Sequence, residues 1–163
     1  MLREVQPPDF AVFFDHQLDP VSNWQVAFTH EDPTDWDAFN AHFARALDDE
    51  TVLMRKIVVE EGIAGYLTKY DLDGEPQIGF VLGPEYWGKG IATQSLREFL
   101  EIVTVRPVYA RTAFDNHASM KVLQKTGFVR TSEGQYFSNA RGVEIVEILW
   151  TLPDERTVEF HHE

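Results

Sequence analysis

The segment that most limits the fold of this chain runs from Ile78 to Thr93. An apolar stretch, Ile78-Gly79-Phe80-Val81-Leu82, ends at Gly83-Pro84, and Trp87-Gly88-Lys89-Gly90 then opens into an amphipathic run from Ile91. The pattern predicts a strand, a break, a glycine-bearing turn and a helix in immediate succession. The first amides of a helix have no intrahelical acceptor. At Gly88 and Gly90 no Cβ keeps a ligand away from the backbone. These free donors, with the positive end of the helix dipole, make a site suited to an anion such as a pyrophosphate. The Lys89 ammonium either adds to that charge or projects into solvent.

Spacing excludes two familiar phosphate loops. A P-loop needs Lys followed by Ser or Thr, but Lys89 precedes Gly90; the dinucleotide fingerprint needs a third glycine where Thr93 stands. For the loop taken alone, a plain strand-to-helix connection is the simpler alternative. A second marked segment lies about 25 residues downstream, Asp115-Asn116-His117-Ala118-Ser119 through Lys125-Thr126-Gly127-Phe128. Asn116 is a helix cap by type, Lys121 and Lys125 suit a C-terminal dipole, and Gly127 suits a left-handed C′ position.

At 163 residues the chain fits one domain, expected over 1–153 with a loose tail at 154–163. Its 44% hydrophobic and 13% aromatic residues argue for a packed core. With no cysteine, disulfides, thiolate metal sites and a cysteine nucleophile are excluded. The terminal His161-His162-Glu163 lacks the spacing and companions of a metal site, so no metal is expected. No apolar run approaches membrane-spanning length and the first residues lack a signal-peptide core, which gives a cytoplasmic protein without membrane contact as the expectation. The net charge of −13 argues against nucleic acid as direct ligand. It is compatible with a cationic amine acceptor, or serves solubility alone.

Along the chain, residues 2–5 read as a strand and residues 9–28, rich in aromatics, as one or two short helices. Asp32-Pro33 is a helix start, and Trp36, Phe39, Phe43 and Leu47 form an apolar stripe, so a helix is expected over 33–48. Strands follow at 52–59, 63–70 and 77–82 with turns at 60–62 and 71–74, an antiparallel meander. The helix after Gly90 leads to a strand at 108–114, a right-handed crossover that makes it parallel to its neighbour. A helix at 116–126 and strands at 128–137 and 143–152 complete the chain. Trp36, Phe39 and Phe43 are expected in the core, and His30 and His42 on the surface.

The two marked segments together resemble the GNAT acetyltransferase superfamily. Trp87-Gly88-Lys89-Gly90-Ile91-Ala92 is similar to its Q/R-x-x-G-x-G/A loop, with Trp in the first position. That loop and the second motif, N-x-x-S-x-x-V-L-x-K-x-G-F from Asn116 to Phe128, look most like the branch of the ribosomal-protein N-terminal acetyltransferases. The close match spans roughly residues 76–130. The resemblance implies a mixed α/β (α+β) fold, with a central, mostly antiparallel sheet of about seven strands, a splayed parallel pair and flanking helices. It implies acetyl-CoA as co-substrate and direct acetyl transfer to an amine, with Trp24 and Phe28 on the acceptor side. The strand edge at Phe80, Val81 and Leu82, the loop Trp87, Gly88, Lys89, Gly90, Ile91, Ala92 and Thr93, and Asn116 are the implied CoA-binding residues.

Two departures from the family bear on catalysis. The position often occupied by a Glu base holds Gln77, and that of a Tyr acid holds Leu123. Ser119 is the implied proton donor to the leaving thiolate, or else stabilises the first helical turn. Asn116 bonds the pantetheine, caps the helix, or both. Glu75 shares a strand face with Gln77 and is the first candidate base, with Glu144 and Glu147 as alternatives. Deprotonating a lysine amine at pH 7 costs about 4–5 kcal/mol, but an α-amine only about 1–1.5 kcal/mol. A missing Glu therefore favours an N-terminal α-amine. A small-molecule amine (antibiotic or polyamine), or a CoA-binding module that has lost catalysis, is the alternative. The final strands are a candidate homodimer surface.

Overall fold

The computed structural model describes residues 1–60 and 62–154; the tail from 155 onward, with His161-His162-Glu163, lies outside the described residues. Strands β1 (Leu2–Glu4), β2 (Leu53–Val59), β3 (Gly62–Leu72), β4 (Glu75–Leu82), β5 (Val108–Ala113), β6 (Val129–Ser138) and β7 (Val143–Leu152) form one sheet in the order β1-β2-β3-β4-β5-β7-β6. Every neighbouring pair is antiparallel except β4 and β5. The mixed sheet is the one the sequence predicts. The β3–β4 hairpin turns on Asp73-Gly74, both left-handed (φ 52° and 80°), the conformation Asp-Gly supplies in two-residue hairpins.

Among the described residues five α-helices cover the sheet: α1 (Phe10–Gln17), α2 (Pro20–Val26), α3 (Trp36–Asp48), α4 (Ile91–Ile102) and α5 (His117–Lys125). The i, i+3, i+4 pattern of α4 buries Leu96 and Phe99, and α5 adds Leu123, against Leu67, Ile78, Val108, Ile148 and Trp150 of the sheet. On the opposite face α1 and α3 bring Phe10, Phe13 and Phe43 onto Val5 and Met54, with the Tyr66 ring 4.7 Å from that of Phe13. Burial pushes the Tyr66 phenol up to about 12, so it stays protonated. Among the described residues no helix is long and apolar enough to cross a membrane.

The α3 start differs from expectation. The Asp32 carboxylate accepts from the Thr34 amide and hydroxyl (3.0 and 2.6 Å), closing a local turn, and Asp35 caps the helix by accepting from the Ala38 amide at 3.0 Å. A short side chain that satisfies its own nearby backbone competes with helix continuation. Trp36 therefore begins the helix, and its indole is 39% exposed rather than in the core, packed edge-on to Phe14 at 5.1 Å.

What positions the site is the parallel pair. β4 and β5 meet in register only at Gln77 and Tyr109, and the strands separate toward the C-terminal end of β4. On its other side β4 stays paired with β3 as far as Leu82 opposite Gly65. A Cβ on Gly65 would lie 2.0 Å from the Val81 carbonyl oxygen, so Gly65 is what allows this contact. Gly65→Ala should lower stability by about 1–3 kcal/mol, the usual cost of overpacking. A shift in the urea midpoint measures it, and an unchanged midpoint would show that the strands separate freely there.

Candidate active site

Two cavities flank the opening between β4 and β5. The smaller, about 430 Å³, lies between the end of β4, the loop at 86–93 and one face of α5. Gly88 and Gly90 are both left-handed (φ 74° and 76°), and a Cβ at either would meet no atom within 4 Å. Gly90 is the N-cap of α4, so the first α4 amides open onto this space. The Trp87 indole donates to the Leu82 carbonyl at 3.1 Å, tying the loop to the strand it follows. This bond gives Trp at that motif position a local role. The Lys89 ammonium stands 6.0 Å from the Tyr86 ring centre and is not among the groups lining the cavity. Its cations are instead Lys121 and Lys125, which share a face of α5 with Ala118 and Val122 at i+3 and i+4 spacing. Sequence reasoning assigned these lysines only to the helix dipole; their spacing was the signal for a cleft-facing pair.

The larger cavity, about 640 Å³, lies on the α1–α3 side of the sheet. Phe28 lines it, as do His30 and His42, whose rings stand 5.7 Å apart. Both histidines are exposed surface groups, as expected, and they also line this cavity. Burial, then the charges of His30 and Arg45, hold the His42 imidazolium below its ordinary range. Phe80, Val81, Asn116 and Ser119 line both cavities, so the two meet at the end of β4 and the start of α5.

Asn116 organises this junction. Its Oδ1 accepts from the Ser119 amide at 3.3 Å and from Gln25 Nε2 of α2 at 3.0 Å. Among the described residues its Nδ2 has no partner, although the side chain is buried. Asn116 thus caps α5 while keeping donors at the cavity wall. Gln25, which locks α2 to this cap, carried no motif in the sequence. Ser119 is half-buried one turn into the helix.

Of the candidate bases, Glu75 is exposed beside the β3–β4 turn and lines neither cavity. It shares a face with Gln77, but it lies at the end of β4 opposite the opening. Glu144 is also exposed and lines neither. Glu147 does line the larger cavity, with Oε1 3.2 Å from Arg111 Nη1. Gln77 is buried, with Oε1 unpartnered among the described residues. Leu123 is fully buried.

The β6–β7 loop secures the roof over the junction. Arg141 donates two 2.8 Å hydrogen bonds to the Asp115 carboxylate, and its Nε donates to the Trp24 carbonyl at 3.0 Å. Its guanidinium lies 5.0 Å from the centre of the exposed Trp24 ring. Ser138 Oγ donates to the Ala27 carbonyl, and Asn139 Nδ2 to that of Thr29, both at 2.7 Å. Segments that showed no motif in the sequence are thereby sewn together across more than a hundred residues.

Residues 1–129 match the model of a GNAT acetyltransferase domain. The chain belongs to the GNAT acetyltransferase family. No protein of curated function is detectably similar in sequence. Among solved structures, a ribosomal-protein-alanine N-acetyltransferase from Brucella melitensis is 17% identical, with 93% of this chain and 98% of that one covered and a TM-score of 0.78. A spermidine N-acetyltransferase from Vibrio cholerae, in complex with CoA and spermine, is 15% identical over 93% and 95% of the chains, TM-score 0.74. A microcin C7 self-immunity acetyltransferase, in complex with acetyl-CoA and AMP, is 18% identical over 92% and 89%, TM-score 0.74. At these identities the likeness is one of fold, and this GNAT member shares its fold with enzymes named for different acceptors.

Arg141→Ala should destabilise the protein by about 1–3 kcal/mol, since charge-assisted bonds and a buried stem are lost together. Its two hydrogen bonds hold the Asp115 carboxyl below the usual range. Because the folded value is the lower one, this contribution is present above about pH 4 and is lost as pH falls through the folded value. Urea unfolding at pH 7 and pH 3 checks it: the difference between wild type and variant should shrink at pH 3.

Proposed function

We propose that this protein transfers an acetyl group from acetyl-CoA to a primary amine, with a peptide or protein N-terminal α-amine as favoured acceptor. The carrying observation is the meeting of two cavities at Asn116 and Ser119, one flanked by a glycine loop and lysines, the other by aromatic side chains. The CoA pyrophosphate would rest on the amides following Gly88 and Gly90, with Lys121 and Lys125 as counter-charges. The pantetheine would pair with the free edge of β4 at Phe80, Val81 and Leu82 like an added strand. The amine enters from the larger cavity, so nucleophile and thioester approach through one opening.

In the reaction the amine loses a proton and its lone pair attacks the thioester carbonyl carbon. The C–N bond forms, the C–S bond breaks, and the thiolate takes up a proton. Ser119 is the proposed proton donor, held at the junction by the α5 cap. Its replacement by Ala should lower kcat by about 10²–10⁴-fold with acetyl-CoA affinity nearly unchanged. Steady-state kinetics beside calorimetric titration decide this. Lost thermal stability with an unchanged kcat would leave Ser119 as a helix-start residue only.

The absence of a carboxylate at position 77, and the exposure of Glu75, support an acceptor that supplies its own free base. Free α-amine peptides should be acetylated faster than N-blocked lysine peptides, with a rate that rises with pH and levels near the amine's own value, about 8. Mass spectrometry locates the acetyl group. Modification mainly at lysine side chains would overturn the preference while leaving acetyl transfer itself intact.

A further inference from the structure

Arg111 and Glu147 form an incomplete ion pair on the wall of the larger cavity. They project from the same face of β5 and β7, where Ala113 is opposite Glu147 and Arg111 opposite Leu149. One contact joins them, Nη1 to Oε1 at 3.2 Å, and their side chains are 32% and 14% exposed. Among the described residues, Arg111 Nη2 and Nε and Glu147 Oε2 have no hydrogen-bond partner. A donor and an acceptor therefore stand side by side on the cavity wall, each with bonding capacity left over. Tyr70, on the same cavity wall, completes the group. Burial chiefly raises its phenol, Arg111 lowering it and Glu147 raising it, so it stays a neutral donor.

We propose that the Arg111–Glu147 pair selects acceptors that carry a carbonyl next to the reacting amine, as every peptide N-terminus and amino-acid amide does. This deepens, and rests on, the α-amine reading above. In an α-aminoacyl group the nitrogen and the carbonyl oxygen are separated by three bonds and stand about 3 Å apart, only the Cα–C rotation changing the distance. The two side chains are as closely spaced, 3.2 Å apart at Nη1 and Oε1; with that contact kept, Glu147 Oε2 receives the ammonium while Arg111 Nη2 or Nε donates to the carbonyl. The position suits delivery to the thioester. Glu147 pairs with Ala113, whose carbonyl accepts from the Asn116 amide at 3.1 Å where α5 begins. A polyamine offers no carbonyl and several cations. Glu147 is the one carboxylate lining this cavity among the described residues, and Arg111 already neutralises it.

The test uses two acceptors with the same side chain, phenylalaninamide and phenethylamine, which differ in the carboxamide. Their different basicities cancel when the kcat/KM ratio of amide to alkylamine is compared between enzymes. Arg111→Met should lower the amide-to-alkylamine ratio of kcat/KM by about 10- to 100-fold, the weight of a hydrogen bond to a charged group. Acetyl-CoA affinity, read by calorimetry, should not change. Arg111→Lys keeps the charge but loses the fork, so it should show the same loss in smaller measure and serves if the Met variant does not fold. An unchanged ratio in both variants overturns the inference but not acetyl transfer to α-amines. Wild-type turnover of phenethylamine alone also overturns it, and turnover of neither amine counts against the proposed function as well.

Discussion

The structure depends on two strands that pair once and then part. A parallel pair normally continues its ladder, and each unpaired backbone group left in an interior is costly. Here β4 and β5 pair in register at Gln77–Tyr109 alone, and the two cavities meet beyond that pairing, at the end of β4 and the start of α5. In the proposed function the edge of β4 is therefore a binding feature built from backbone. Side chains near it act by holding the opening: Gly65 lets β3 support β4 to its end, and Trp87 satisfies the Leu82 carbonyl where the strand stops.

The second dependence is on one amide side chain. Asn116 stands where α5, the end of β5 and α2 converge, and its Oδ1 serves both the helix cap and Gln25. Its neighbour Asp115 takes the two bonds of Arg141, which reaches from the β6–β7 loop to Trp24. Elements distant in sequence therefore fix the position of Ser119. The arrangement explains why an exposed hairpin and a short aromatic helix belong to the site without contributing an obvious catalytic group.

Legibility in the sequence follows the range of the interactions. The meander, the α4 crossover and the α5 ends were readable because period, glycine turns and caps are local; Asp73-Gly74 and Asn116 fall where their chemistry predicts. The α3 start was misread because Asp32 and Asp35 are equally good caps by type, and only the Asp32–Thr34 turn decides between them. The glycine loop was readable for the same local reason, yet its cations were not: Lys89, adjacent in sequence, lies away from the cleft, while Lys121 and Lys125 reach it from α5. Strand alternation put Glu75 with Gln77 on one face but could not say which end of β4 opens. Gln25, Arg111 and Arg141 act through contacts between separate elements, and no local pattern announces them.

Charge completes the division of labour. The chain carries a net −13, and such a field attracts any cationic acceptor, but it falls off over about 8 Å at physiological salt and does not distinguish one ammonium from another. An anionic donor must be held against that field by close groups, which suits amides at a helix start and two lysines on one face of α5. Choice among amines must likewise come from groups in contact. Within the larger cavity those include two histidines, an Arg–Glu pair and two neutral tyrosines among apolar walls. Among the described lining residues the one carboxylate, Glu147, is already paired with Arg111, which is why the proposed preference rests on the shape and bonding pattern around a single nitrogen.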